Sequence, residues 1–191
     1  MRKVIYLFVV IIVFCAEKAS AQKDTVWVCM KYAKNSNGER TEIAENRDSA
    51  DFMRMITTPD SSVDKTLYPV NDFYLNGKLK LRSLSIVNMA AHTLFQGTCL
   101  EYYPNGLKKS ISNFEKGNQE GDINKYYPNG KIYMSGSYYQ HKFKLIECRD
   151  STGKELAENG NGKWIKYSDD FKILYSEGPV EGGIQQYDWK G

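Results

Sequence analysis

The sequence predicts an all-β protein: an antiparallel meander of repeated β-hairpins behind an irregular, mostly-β N-terminal cap. Three observations carry this. The pentapeptide Tyr102-Tyr103-Pro104-Asn105-Gly106 recurs 24 positions later as Tyr126-Tyr127-Pro128-Asn129-Gly130. The 191 residues include 14 Tyr and 15 Gly, a mixture suited to short strands and tight turns. Glycine is also unevenly spread: residues 22–96 hold only Gly38 and Gly77, whereas 97–191 hold thirteen. Residues 22–96 therefore read as a cap with a first degenerate repeat, and 97–191 as the regular hairpins, because repeat arrays need atypical ends.

The chain opens with Arg2 and Lys3, an apolar run from Val4 to Phe14, and Ala19-Ser20-Ala21. This is the pattern of a secretory signal peptide over residues 1–21, cleaved after Ala21. It implies a mature protein that is periplasmic or secreted. The apolar run is too short to cross a bilayer as a helix, and no later stretch offers a transmembrane span. Residues 22–191 carry 23 basic and 22 acidic side chains, so nothing in the charge points to nucleic acid.

In the cap, Thr25 to Tyr32 reads as a strand and Asn35-Ser36-Asn37-Gly38 as a turn. Glu45 to Ala50 is compatible with one helical turn. Asp51 to Thr58 is ambiguous in period and is read as a strand. Asp60 to Asp64 is a loop. Phe73-Tyr74-Leu75-Asn76-Gly77 is the degenerate copy. Lys78, Lys80 and Arg82 then alternate with Leu79 and Leu81, which predicts one basic and one apolar strand face. The basic face is either a contact for anionic lipid or polysaccharide or a plain solvated surface.

In the regular unit, Thr98 to Tyr103 forms a strand. Pro104 takes the second position of a type I turn, where its fixed φ fits, and Gly106 the fourth, where φ is positive. Leu107 to Phe114 returns as the partner strand, Glu115 to Gln119 turns again, and Gly121, the counterpart of Gly97, opens the next hairpin. Gly97, Asn105, Gly106, Gly121, Asn129 and Gly130 are thus the structural residues of the repeat. Two strands per unit set equivalent residues about 10 Å apart. Tyr102 and Tyr126 then share one row, Phe114 and Tyr138 another, and Tyr103 and Tyr127 fall on the face opposite Tyr102 and Tyr126. One tyrosine row packs inward and the other is the candidate binding surface; alternation does not say which. Looser copies follow at Gly162 to Tyr167 and Gly182 to Tyr187.

These Gly-x-x-x-x-Tyr-Tyr-x-Asn-Gly hairpins resemble the bacterial variant of the MORN repeat, a family that includes YwqK-type antitoxins. The matching residues are Gly97, Tyr102, Tyr103, Asn105 and Gly106, then Gly121, Tyr126, Tyr127, Asn129 and Gly130. The family favours Trp after the Gly; Thr98 and Asp122 depart from this and Trp164 restores it. Cys148 to Lys154, Asn159 to Trp164 and Glu177 to Val180 also resemble repeat segments that precede TonB-type C-terminal domains in envelope proteins. The resemblances imply a protein-binding role, as an antitoxin or immunity-like partner of a secreted toxin or as an accessory to a TonB-type system.

Signals for chemistry are weak. No catalytic or metal-binding set and no cofactor motif is read from the sequence. Ser151-Thr152-Gly153-Lys154 lacks the residues of a phosphate loop and reads as a β-turn. His92 and His141 stand alone. Asp169 and Asp170 occupy the turn position held elsewhere by Pro-Asn. Cys29, Cys99 and Cys148 allow one disulfide in an exported protein, or three buried thiols. The expectation is therefore an exported, non-enzymatic binding or scaffold module of the bacterial envelope with an unidentified protein partner.

Overall fold

A computed structural model describes residues 25–35, 38–60, 62 and 64–186. The signal segment, the centre of the Asn35–Gly38 turn and the end of the Gly182–Tyr187 copy lie outside the described residues.

Fourteen strands form one antiparallel sheet: β1 (Thr25–Asn35), β2 (Gly38–Ile43), β3 (Phe52–Thr57), β4 (Tyr68–Tyr74), β5 (Leu79–Ser85), β6 (Phe95–Tyr102), β7 (Lys108–Glu115), β8 (Asn118–Tyr126), β9 (Ile132–Tyr139), β10 (Lys142–Arg149), β11 (Glu155–Glu158), β12 (Asn161–Tyr167), β13 (Leu174–Glu181) and β14 (Ile184–Gln185). Each strand from β4 to β14 pairs with its sequence neighbours, while β1 lies between β3 and β2. No described residue is helical. Glu45 to Ala50 makes a turn closed by the Ala50 N–H on the Arg47 carbonyl at 3.2 Å, not a helix. The Asn46 side chain competes there for the Ser49 N–H, which favours the turn over helix propagation.

Two kinds of turn alternate along the two margins of the sheet. On one margin sit the Tyr-x-Asn-Gly turns. Gly106 donates to the Tyr103 carbonyl and Tyr103 donates to that of Leu107, both at 2.8 Å, and Gly106 has φ +89°. The same pair of bonds recurs at Tyr74–Lys78, Tyr127–Lys131 and Asp150–Lys154. On the other margin are two-residue turns at Lys116-Gly117, Gln140-His141, Asn159-Gly160 and Gly182-Gly183, with positive φ at every one of these positions. That geometry matches the right-handed twist of the flanking strands. Gly97 and Gly121 do not open hairpins. They lie inside β6 and β8 with φ +75° and +82°, where the pairing register shifts, so they serve as bulges.

One face carries the core. Met30, Phe52, Ile56, Val70, Leu81, Cys99, Ile123, Leu145, Cys148 and Val180 are buried along it. At the C-terminal end the sheet coils on itself. Leu145 donates to the Gly183 carbonyl at 3.0 Å, Gly183 to that of Gly160 and Gly160 to that of Ile146, both at 2.8 Å. A Cβ on Gly160 would stand 2.5 Å from the Gly183 nitrogen, so only glycine permits this backbone contact. The coil encloses a cluster of Ile123, Tyr127, Tyr133, Met134, Leu145 and Cys148, with Phe143, Trp164, Tyr167 and Phe171 packed against it.

Candidate functional site

The site begins with a third irregularity of the hairpin. In the pairing of β4 with β5, Asp72 faces Leu81 and Phe73 faces Leu79, leaving Lys80 as an extra residue. Between β6 and β7 the extra residue is Lys109, and between β8 and β9 it is Tyr133. These three occupy the same place in successive hairpins, and all project to the inner face.

Around Lys80 and Lys109 this face is an open groove. A hollow of about 690 Å³ is lined by Tyr32, Asp51, Tyr74, Lys80, Glu101, Lys109 and Asp169 among others. A second of about 310 Å³ adjoins it, sharing Tyr32, Lys80 and Glu101 and adding Arg40, Phe52, Arg54 and Asp72. Lys80 Nζ sits 4.7 Å from the Phe52 ring centre and 5.4 Å from that of Tyr32, within the range of cation–π attraction. The rings of Tyr32 and Phe52 lie 5.4 Å apart. Phe52 is the buried floor; Tyr32 is 52% exposed.

The charges in the groove neutralise one another. Arg54 donates to both Asp72 oxygens, at 2.7 and 2.8 Å, and to the Ala90 carbonyl at 2.7 Å. This ion pair is nearly inaccessible to water, and its bidentate geometry offsets the cost of burying it. Glu101 accepts the Ser110 hydroxyl at 2.6 Å. Lys109 reaches Asp169 in the Ser168–Phe171 turn at 3.1 Å. Burial opposes the charge on Lys109, but Glu101 and Asp169 outweigh it and hold the ammonium above its ordinary pKa. Asp169 is itself largely exposed; partial desolvation by the nearby surface opposes its carboxylate, and Lys109 outweighs that to lower the pKa. Burial raises the Tyr74 hydroxyl, which donates to the Tyr102 carbonyl at 2.7 Å. Below the Lys109–Asp169 bridge a cavity of about 70 Å³ is lined by Tyr103, Tyr133, Tyr167 and Phe171 among others.

The tyrosine rows divide as follows. Tyr103 and Tyr127 are 7% and 5% exposed. Their hydroxyls donate to the carbonyls of Tyr126 and Arg149 in the next hairpins, at 2.6 and 2.8 Å. Burial raises both hydroxyls above their ordinary pKa, so they stay neutral donors. Tyr102 and Tyr126 are half-buried on the opposite face. Asn105 and Asn129 work twice. Each side-chain oxygen accepts the N–H two residues on, at 2.9 and 3.0 Å. Each side-chain amide donates to the carbonyl of Pro128 or Ser151 in the following turn, at 2.8 and 2.9 Å. The turns thus form a hydrogen-bonded spine.

The predicted basic face of Lys78, Lys80 and Arg82 is split. The bulge sends Lys80 inward beside Leu81 and Glu101. Arg82 goes to the other face beside Asn71 and Leu100, and Lys78 donates from a turn to the Pro104 carbonyl at 2.9 Å. Strict alternation failed here because one extra residue changes the phase of a strand. The groove residues Tyr32, Glu101, Lys109 and Asp169 had no motif to mark them. The available signal was the 24-residue offset that aligns Lys109 with Tyr133.

Cys29, Cys99 and Cys148 are free thiols. Burial pushes Cys99 up to about 12 and raises Cys148 as well. Cys29 is half-buried, with its sulfur 3.5 Å from that of Met53. Among the described residues no group of His, Cys, Asp and Glu could hold a metal ion, and no helix is long and apolar enough to cross a membrane. Comparison with protein-family models, with curated proteins and with solved structures found no match.

Proposed function

We propose that this protein is an exported, non-enzymatic binding module of the bacterial cell envelope that holds its ligand in the inner-face groove. The observation carrying the reading is the groove itself: an accessible hollow with an exposed aromatic ring and charged groups fixed by the hairpin bulges. Preformed concave sites with few, well-placed polar groups are the usual form of binding sites. Four buried nucleophiles are held in their neutral forms, since burial raises the pKa of the Cys99 and Cys148 thiols and of the Tyr103 and Tyr127 hydroxyls. An enzyme using them would lower those values. Export rests on the pattern of residues 1–21, and the protein-binding role on the likeness of the hairpins to MORN-type repeats. The half-buried Tyr102 and Tyr126 supply a second contact row on the outer face.

Fractionation of the native host tests the reading, together with affinity capture from the compartment where the chain is found. The expected result is a mature chain starting at Gln22 in the periplasm or medium, retaining envelope components that Tyr32→Ala or Tyr102→Ala releases. A chain that keeps Met1 and stays in the cytoplasm overturns it.

A further inference from the structure

The geometry points to a neutral oligosaccharide as the ligand of the groove. This rests on reading the groove as a binding site and goes further by naming the ligand's chemistry.

The first observation is the order of charges. Lys80 on β5, Glu101 on β6, Lys109 on β7 and Asp169 in the Ser168–Phe171 turn alternate in sign across the inner face. Over both hollows, four basic residues (Arg40, Arg54, Lys80, Lys109) meet four acidic ones (Asp51, Asp72, Glu101, Asp169). A ligand of either net charge meets repulsion as often as attraction along such a row. A hydroxyl meets none. It donates one hydrogen bond and accepts others, so a single hydroxyl can accept from an ammonium and donate to a neighbouring carboxylate. A chain of ring alcohols repeats that capacity at every residue.

The second observation is the aromatic surface. Tyr32 projects a half-exposed ring at the mouth of the groove, supported by the Phe52 ring and the Lys80 ammonium. The electron-rich face of such a ring attracts the weakly positive C–H face of a pyranose as it does a ring edge. The third is span. Lys80 and Lys109 stand two strands apart, about 10 Å, and the groove volume of about 690 Å³ is large enough for a ligand that spans them. The Lys109–Asp169 bridge closes the far end.

Calorimetric titration of the mature chain tests this. The probes are neutral chitotetraose, maltotetraose, cellotetraose and xylotetraose, with tetragalacturonate as the anionic comparator. At least one neutral probe is expected to bind, with less than about a twofold change in Kd between ~0.05 and ~0.5 M salt. Tyr32→Ala and Glu101→Gln should each weaken it by about tenfold or more, with a cooperative melting transition retained. Tyr139→Ala, exposed and remote from the groove, should bind as the unaltered chain does. Three outcomes overturn the proposal. They are no binding by any neutral probe, salt-sensitive binding of tetragalacturonate alone, and neutral binding that survives both groove variants. A cytoplasmic location would defeat the envelope reading while leaving this titration intact. Absence of sugar binding would leave export untouched.

Discussion

Lys109 and Tyr133 are the same residue of the repeat, one hairpin apart, and they build opposite surfaces. Up to β7 the inner face mixes buried apolar side chains with polar and charged ones, and it leaves a groove open. Its centre is the Arg54–Asp72 pair, followed by Ser83, Ser85, Ser110 and Ser112, all buried, and by Lys80 and Lys109 on the groove wall. From β8 onward the inner face is aromatic and closed. The Tyr133 ring lies 5.2 Å from that of Tyr127 and 5.0 Å from that of Phe171, and its hydroxyl donates to the Ile165 carbonyl. One hairpin geometry therefore carries a groove residue on one bulge and a core residue on the next. The backbone supplies the scaffold, and each bulge residue matches the surface, open or closed, that the later strands leave to it.

The largest effects should come from exchanging the chemistries of the two halves. Tyr133→Lys puts an ammonium among Tyr127, Tyr167 and Phe171 and should cost about 4 kcal/mol or more, read as a fall in the urea midpoint. The mirror change, Lys109→Tyr, should be tolerated within about 1 kcal/mol and should abolish ligand binding by filling the groove. Equal destabilisation by the two would end the distinction between open and closed halves. In the open half, Asp72→Ala leaves Arg54 buried without its counter-ion and should cost about 3–5 kcal/mol.

Tyr103→Ala and Tyr127→Ala remove a buried ring and a hydrogen bond to the next hairpin. Each should cost about 3–5 kcal/mol, against less than about 1 kcal/mol for Tyr102→Ala and Tyr126→Ala. Thermal melts of the four variants sort the rows. If the outer pair unfolds the protein as readily, the outer row is structural and no longer a contact surface.

Smaller effects sharpen the picture further. The Lys109–Asp169 bridge ties the two halves together. The carboxylate's lowered pKa makes its contribution present above the unfolded value near 3.8, lost as pH falls through the folded value. The raised pKa of Lys109 makes its contribution present below about 10.5, lost as pH rises through the folded value. Between those limits the bridge is pH-independent. Asp169 is largely exposed, so Asp169→Asn should lower stability by less than about 1 kcal/mol and flatten the acid limb of the melting curve. Smallest of all, His141 holds φ +64° in a two-residue turn where the preceding hairpin has Gly117. His141→Gly should leave Tm unchanged or raise it, because relief of about 1–2 kcal/mol of strain outweighs the glycine's added unfolded-state entropy of about 0.4–1 kcal/mol. A clear fall would show that the imidazole makes a contact worth more than the strain.

The structure also bears on reactivity. Thiol titration of the native mature chain should modify Cys29 quickly and leave Cys99 and Cys148 protected until denaturant is added, because burial favours the thiol over the thiolate.

The turns and the strands were legible in the sequence because they are local. Pro104, Asn105 and Gly106 fix three successive backbone conformations without help from the rest of the chain, and the repeat at Pro128, Asn129 and Gly130 announces a second hairpin of the same form. Alternation also predicted that the paired tyrosines part to opposite faces. It could not say that Tyr103 and Tyr127 face inward, since that depends on which side the distant Ser168–Phe171 turn covers. Nor could it find the bulges at Lys80, Lys109 and Tyr133. A bulge exists only relative to a partner strand, and one extra residue sends Lys80 and Arg82 to opposite faces although their spacing says otherwise. Residue types and φ preferences therefore determined the hairpins. Cross-strand register and the backbone contacts among Leu145, Gly160 and Gly183 decided where the sheet coils, what it encloses and what it leaves open.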